Sequence, residues 1–257
     1  MEKISIQQLS TFFGKEPVGE PFRIFSLSHL SAIALIVLFI FLSCFILKRE
    51  RFRRYRKHYR YIIVFLLIIQ EISYQLWHCH VEDFHWGTHL PLHLCGIAVF
   101  ISILLMITKD YTLYEVLYFW GLAGVTQAIL TPDIGIYGFP HYRFFHIFLS
   151  HGLVISTVFY MTIVERFRPV IASIKKVFII INIYFIFIIF INIITDGNYL
   201  FICRKPETPS LLDFLGPWPW YILSLEFVGL ASLFLLYTPF LLKDYLTKRR
   251  ELSGNEK

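Results

Sequence analysis

Charge is scarce in this chain, and what there is lies between apolar runs. Only 16% of the 257 residues are Asp, Glu, Lys or Arg, while 56% are hydrophobic, 27 are Phe and mean hydropathy is +0.62. Soluble domains rarely have that composition, and polytopic helical membrane proteins do. Cysteine is sparse as well. Cys44, Cys79, Cys95 and Cys203 form no CxxC pair, so neither a zinc ribbon nor a disulfide framework is indicated. Residues 1–28 are mixed and polar and the first apolar run opens near His29, so no cleavable signal peptide is expected. There is no fixed-period repeat and no low-complexity segment. The net charge of +6 sits in short blocks between apolar runs, which marks topology and not a nucleic-acid surface.

Seven runs approach the 20 apolar residues that cross a hydrocarbon core: 29–47, 61–79, 91–108, 113–131, 144–164, 177–195 and 220–242. Backbone groups in lipid must be satisfied within the segment, and the runs are too long and continuous for barrel strands, so each is read as a helix. The expected fold is all-α, a polytopic seven-transmembrane-helix bundle. Eighteen of the 24 Lys and Arg fall on one side: the loop at 48–60, residues 109–112, residues 165–176 and the tail from Lys243. The positive-inside rule then puts the N-terminus outside and the C-terminus in the cytoplasm. Residues 1–28 read as an outer, interfacial lead-in, 29–242 as the membrane domain and 243–257 as a basic cytoplasmic tail. The loop at 196–219 is rich in turn formers and aromatics, which suits an interfacial cap.

Nine of the ten histidines then lie at or near the outer face; only His58 is in a cytoplasmic loop. Cys95 stands two residues after His93, about 6 Å into the third run if that helix enters near Pro91. His146 and His151 lie about 3 Å and 10 Å into the fifth. The ordinary reading of such a thiol is a small core hydrophobe, and of such a histidine a satisfied interhelical hydrogen bond. The functional reading is a Cys–His pair. An imidazole takes the thiol proton, and the thiolate attacks an ester and holds the acyl group as a thioester. Either His146 or His151 fills that role if the third and fifth helices are neighbours. A competing reading is metal binding by His78, His80, His89 and His93 with Cys79, Glu82, Asp83 and Cys95 nearby. The i,i+4 spacing of His89 and His93 supports it, but Pro91 between them suits a first helical turn and leaves His89 before the helix.

The cost of burying polar groups in lipid predicts that Gln70, Glu71, Gln75, Thr126, Gln127, Asn182, Asn192 and Glu226 point inward. Gln127 stands at about the depth of Cys95, and the turn Thr131-Pro132-Asp133 follows it. The sixth run is almost wholly Ile and Phe, which suits lipid exposure or plain packing.

Several stretches occur in a telling order: Leu90-Pro91-Leu92-His93-Leu94-Cys95, Tyr118-Phe119-Trp120-Gly121-Leu122, Leu130-Thr131-Pro132-Asp133 and Phe148-Leu149-Ser150-His151-Gly152. Gly197-Asn198-Tyr199-Leu200 follows, then Ser210-Leu211-Leu212-Asp213-Phe214-Leu215-Gly216-Pro217-Trp218-Pro219-Trp220-Tyr221. Together they resemble the YwaF family of bacterial seven-helix membrane proteins, whose eukaryotic relatives are of the transmembrane protein 164 type. The resemblance covers about His78 to Glu226. Those relatives are implicated in acyl transfer onto ether-linked lysophospholipids with an essential Cys and His, which implies Cys95 and His151 here and prefers His151 over His146.

The expected activity is thus a membrane acyltransferase or transacylase moving acyl chains between phospholipids and lysophospholipids. Cys95 is the nucleophile and His151 the base. His93, Gln127 and Asn198 are candidate orienters or oxyanion donors, with Asp133, Tyr199, Trp218 and Glu226 as further support. Aromatic-lined gaps between helices are expected to hold the acyl chain. No cofactor, resident metal or nucleic-acid partner is expected, and the location is a cell membrane, a bacterial plasma membrane by the resemblance. A lipid hydrolase with the same pair, and a non-catalytic transporter or lipid- or metal-binding protein using the outer histidines, are the alternatives.

Overall fold

The computed structural model describes residues 12–16, 19–81, 84–205 and 211–254. Among them there is no strand, and the chain runs through seven helices. We number them α1 (Leu27–Leu47), α2 (Arg56–Val81), α3 (Leu94–Thr108), α4 (Tyr111–Leu130), α5 (Tyr142–Ile163), α6 (Ile171–Thr195) and α7 (Trp220–Gly254). A 3-10 turn at Glu50–Tyr55 leads into α2, and α4 carries a π-helical turn at Leu117–Gly121.

Local chemistry sets the ends. Ser26 caps α1 by accepting from the His29 N–H, Asp110 caps α4 by accepting from Leu113 at 2.9 Å, and His141 caps α5 by accepting from Arg143 at 3.1 Å. Lys109 and Asp196 end α3 and α6 in the left-handed conformation, the stop more often given to glycine or asparagine.

Six of the helices are long and apolar enough to cross a membrane, so this is a multi-pass membrane protein by length and composition. The run at 91–108 differs from the expectation. Its helix begins at Leu94 and has 15 residues, short of the usual span. Pro91 does not start it, because the chain at Leu90–His93 folds back over the coming first turn. The Leu92 N–H bonds the Leu90 carbonyl at 2.7 Å, and the Pro91 backbone lies so close to Gly96 that a Cβ there would sit 2.7 Å from the Pro91 oxygen. Glycine is required at position 96.

α5 is the central post. Fifteen of its 22 residues are buried, and α1, α2, α3 and α4 all pack on it. α6 and α7 join on the α4 side. Small residues on α5 admit the neighbours. A Cβ at Gly152 would sit 2.9 Å from the Ile36 side chain of α1, and Ser156 Oγ meets Tyr59 Oη of α2 at 2.7 Å. The flank formed by α1 and α6 exposes Ile, Leu and Phe side chains, as lipid contact requires.

The two ends differ. The basic end is stapled by ion pairs: Lys109 to Glu165 at 2.7 Å, Arg168 to Asp244 by two bonds of 2.9 and 2.7 Å, and Lys176 to the buried Glu115 at 2.5 Å. Burial pushes the Glu165 carboxyl up, but bonds from Lys109 and Tyr160 outweigh it and hold its pKa below the usual range. At the other, histidine-rich end, the lead-in packs on the loop before α5. The Phe13 carbonyl accepts from Trp77 Nε1 at 2.7 Å and the Gly14 carbonyl from His141 Nε2 at 2.9 Å.

Polar burial follows expectation in part. Gln70, Glu71 and Asn192 are buried, whereas Gln75, Asn182 and Glu226 are half-buried. Thr126 and Gln127 are exposed, contrary to the inward orientation expected, because the buried stripe of α4 is that of Gly121, Val125 and Ile129.

Gly152→Ala is expected to cost about 1–3 kcal/mol through overpacking and to lower the thermal midpoint in detergent. Adding Ile36→Ala is expected to recover most of that loss. Full additivity of the two changes would show that the α1–α5 approach is not the constraint.

Candidate active site

Cys95 is the second residue of α3, half-buried, and its Sγ makes no hydrogen bond among the described residues. The residue before the helix, His93, occupies the N-cap without a side-chain cap bond. A helix leaves its first N–H groups without intrahelical partners, and here the N–H groups of Leu94, Cys95 and Gly96 find no other acceptor among the described residues. Three free donors and the positive end of the helix dipole therefore share the first turn of α3 with the thiol.

His151 lies in the third turn of α5, buried, and α3 packs against α5. Its Nδ1 is 2.7 Å from the Ile147 carbonyl. A carbonyl only accepts, so Nδ1 carries the proton and Nε2 of the neutral ring holds the lone pair. That is the tautomer a general base needs. Sγ and the imidazole are not hydrogen-bonded to each other, and such catalytic contacts are often long before substrate is bound.

The segment leading to Cys95 is held from α6 and the loop after it. Tyr199 is fully buried. Its Oη–H donates to the Trp86 carbonyl at 2.7 Å and its Oη accepts from the Leu90 N–H at 2.9 Å. Asn192 clamps the Tyr199 backbone on both sides, at 2.8 and 3.0 Å. Tyr184 donates to the Leu92 carbonyl at 2.8 Å. Gly87 and Gly197 cross so closely that a Cβ on either would meet the other's backbone, at 3.0 Å or less. Tyr184 is a support the sequence reading missed, while Asn192, expected to point inward, is buried and serves as one. The signal available was one hydroxyl and one amide in a run of Ile and Phe, so α6 does more than face lipid.

The other expected site residues separate. His93 packs its ring on Tyr199 and Phe201, at 5.3 and 5.4 Å. Asn198 is spent within its own loop, accepting from Cys203 and Arg204 and donating to the Arg204 carbonyl. Trp218 is exposed with Nε1 on the Ile202 carbonyl at 3.2 Å, and Asp133 is exposed. Glu226 accepts from Asn182 at 3.2 Å and ties α6 to α7. Of the donors expected at His93, Gln127 and Asn198, Gln127 is exposed and Asn198 is engaged in its own loop, while the first backbone N–H groups of α3 are without an acceptor among the described residues.

His89 precedes α3 as expected and lies against His78, with ring centroids 4.6 Å apart, while His93 is turned to Tyr199. The two therefore do not share a helical face. No three His, Cys, Asp or Glu side chains gather to hold a metal ion among the described residues; Glu82 and Asp83 lie outside these. A groove of about 720 Å³ between α1, α4 and α5 is lined by Ile, Leu and Phe with Thr126 and Lys48, and neither Cys95 nor His151 lines it.

A family model described as the TMEM164 family matches residues 24–237. No curated protein and no solved structure matches the chain.

Tyr199→Phe leaves the Trp86 carbonyl and the Leu90 N–H without a partner, at a cost of about 1–3 kcal/mol each. Hydrogen–deuterium exchange is expected to rise across 86–93 and to stay unchanged at the basic end. A uniform rise would show that Tyr199 supports the whole bundle and not this segment.

Proposed function

Because the chain belongs to the TMEM164 family, we propose that it is a membrane acyltransferase in which Cys95 carries the acyl group and His151 moves the protons. The observation that carries the reading is the nucleophile's position: a thiol at the second residue of an uncapped helix, on a helix packed against one whose buried imidazole has its lone pair on Nε2. Fold and site transfer within a family better than substrate does.

The reaction runs in two halves. His151 Nε2 takes the Sγ proton, and the thiolate attacks the ester carbonyl of a phospholipid. The free N–H groups at the start of α3 stabilise both the thiolate and the oxyanion. The tetrahedral intermediate expels the lysophospholipid alkoxide, which takes its proton from the imidazolium, and the acyl thioester remains on Cys95. In the second half His151 deprotonates the hydroxyl of an acceptor lysophospholipid. The alkoxide attacks the thioester, the C–S bond breaks and the thiolate regains its proton. Water as acceptor turns the same steps into hydrolysis.

The reading includes seven crossings, with α3 as the short one, the histidine-rich end outside and the basic end in the cytoplasm. The distribution of Lys and Arg supports that orientation. It also includes the bacterial YwaF branch and a plasma-membrane location, supported by the stretches around Cys95, His151 and Gly197.

Intact-mass spectrometry of purified protein incubated with phospholipid is expected to show an acyl adduct that hydroxylamine removes. Cys95→Ser should abolish it, and His151→Ala should slow its formation by about 100-fold or more. Wild-type adduct levels in both variants would overturn the mechanism. No adduct on the wild type would move the reading to a non-catalytic lipid-binding or transport protein.

A further inference from the structure

His146 is the imidazole that this mechanism leaves unused. It is 8% exposed, and neither ring nitrogen has a hydrogen-bond partner. One of those nitrogens carries a hydrogen, and a buried donor without an acceptor is costly enough to need a reason. The ring is fixed in place by stacking on Tyr74, with centroids 3.9 Å apart and 12° between planes.

The group beside it has the same deficit. Arg143, one turn earlier on α5, lies over the rings of Tyr74 and Trp77 at 4.7 and 5.5 Å. It is half-buried, and its guanidinium makes no ion pair or hydrogen bond among the described residues. Five N–H donors in a planar fork thus lie over aromatic rings with no acceptor among the described residues. Arg143, His151 and His78 are the basic groups that bear on His146, and Tyr74 and Tyr142 lie against its ring. The near carboxylate on α2 is Glu71, which is buried and engaged by Gln75 Nε2 at 2.9 Å. Arg143 and His146 therefore present donors beside aromatic rings with no acceptor for them among the described residues.

An anion with several acceptor oxygens satisfies all of this, and guanidinium forks match phosphate oxygens two at a time. We propose that Arg143 and His146 bind the phosphodiester of the lysophospholipid acceptor at the histidine-rich end. The inference rests on the acyl-transfer reading for the identity of the lipid. It assigns to the site a headgroup subsite separate from the nucleophile, with selectivity for phospholipids over neutral glycerides.

The test is binding to the full-length protein in a phosphate-free detergent. Lysophosphatidylcholine is compared with monoacylglycerol of the same chain, with oleate and with inorganic phosphate. Wild type and Cys95→Ser are expected to prefer lysophosphatidylcholine over monoacylglycerol by about 10-fold or more, the worth of one good charge-assisted bond. Arg143→Gln and His146→Phe should each remove most of that preference. His146→Phe keeps the stack on Tyr74, so its thermal midpoint should hold, and Arg143→Lys should retain part of the binding as a point charge. A preference unchanged in Arg143→Gln and His146→Phe overturns the proposal. So does oleate or inorganic phosphate binding as tightly as the lysolipid, which would assign the subsite to a free carboxylate or free phosphate. A thioester on Cys95 with binding indifferent to Arg143 and His146 sinks the headgroup site alone. Phosphate-dependent binding without any thioester sinks the acyl-transfer reading alone.

Discussion

Helices in lipid gain nothing from leaving water a second time, so close packing and hydrogen bonds must hold them. α5 meets that constraint for the rest of the bundle. Gly152 lets α1 approach, the Ser156–Tyr59 bond ties α2, and Gly121 of α4 sits against Val154. Four helices are positioned by one, and that one carries both buried imidazoles of the site. A change that loosened α5 would move His151 relative to everything it must reach.

The site is assembled from two rather different kinds of order. The imidazole takes its orientation from a bond to its own helix, the Ile147 carbonyl, so its useful nitrogen is fixed by secondary structure alone. The thiol takes its setting from what is missing: His93 leaves the N-cap bond unmade, and the first N–H groups of α3 stay available. That vacancy persists because the preceding segment is anchored elsewhere, by Tyr184, Tyr199 and Asn192, and so has no need of α3's own donors.

The helix positions were legible from hydropathy because runs this apolar have few alternatives in lipid. The start of α3 was not. Pro91 fits a first helical turn by preference, and only the contact between its backbone and Gly96 shows why the helix waits until Leu94. Cys95 and His151 were legible as candidates from residue type and from the order of the motifs. Their supports were less so. Polarity in an apolar segment says that a group needs a partner, but not on which face it lies, so Gln127 was expected inward and faces out. Asn198 looked available and is consumed by its own loop, while Tyr184 looked like filler and holds a carbonyl three residues from the thiol. The preference for His151 over His146 came from the resemblance, and the Ile147 bond, which no spacing reveals, adds the tautomer of His151.

The uneven stapling of the bundle has a mechanical consequence. α3 is pinned to α5 where Lys109 meets Glu165, and no hydrogen bond among the described residues joins the two helices at the Cys95 end. From that pivot to the thiol the helix forms a lever of about 21 Å. A tilt of about 5° swings its tip by about 2 Å. If Cys95 and His151 react as proposed, a tilt of this kind would have to carry with it the Leu90–His93 segment that Tyr184 and Tyr199 hold, while the basic end stays still.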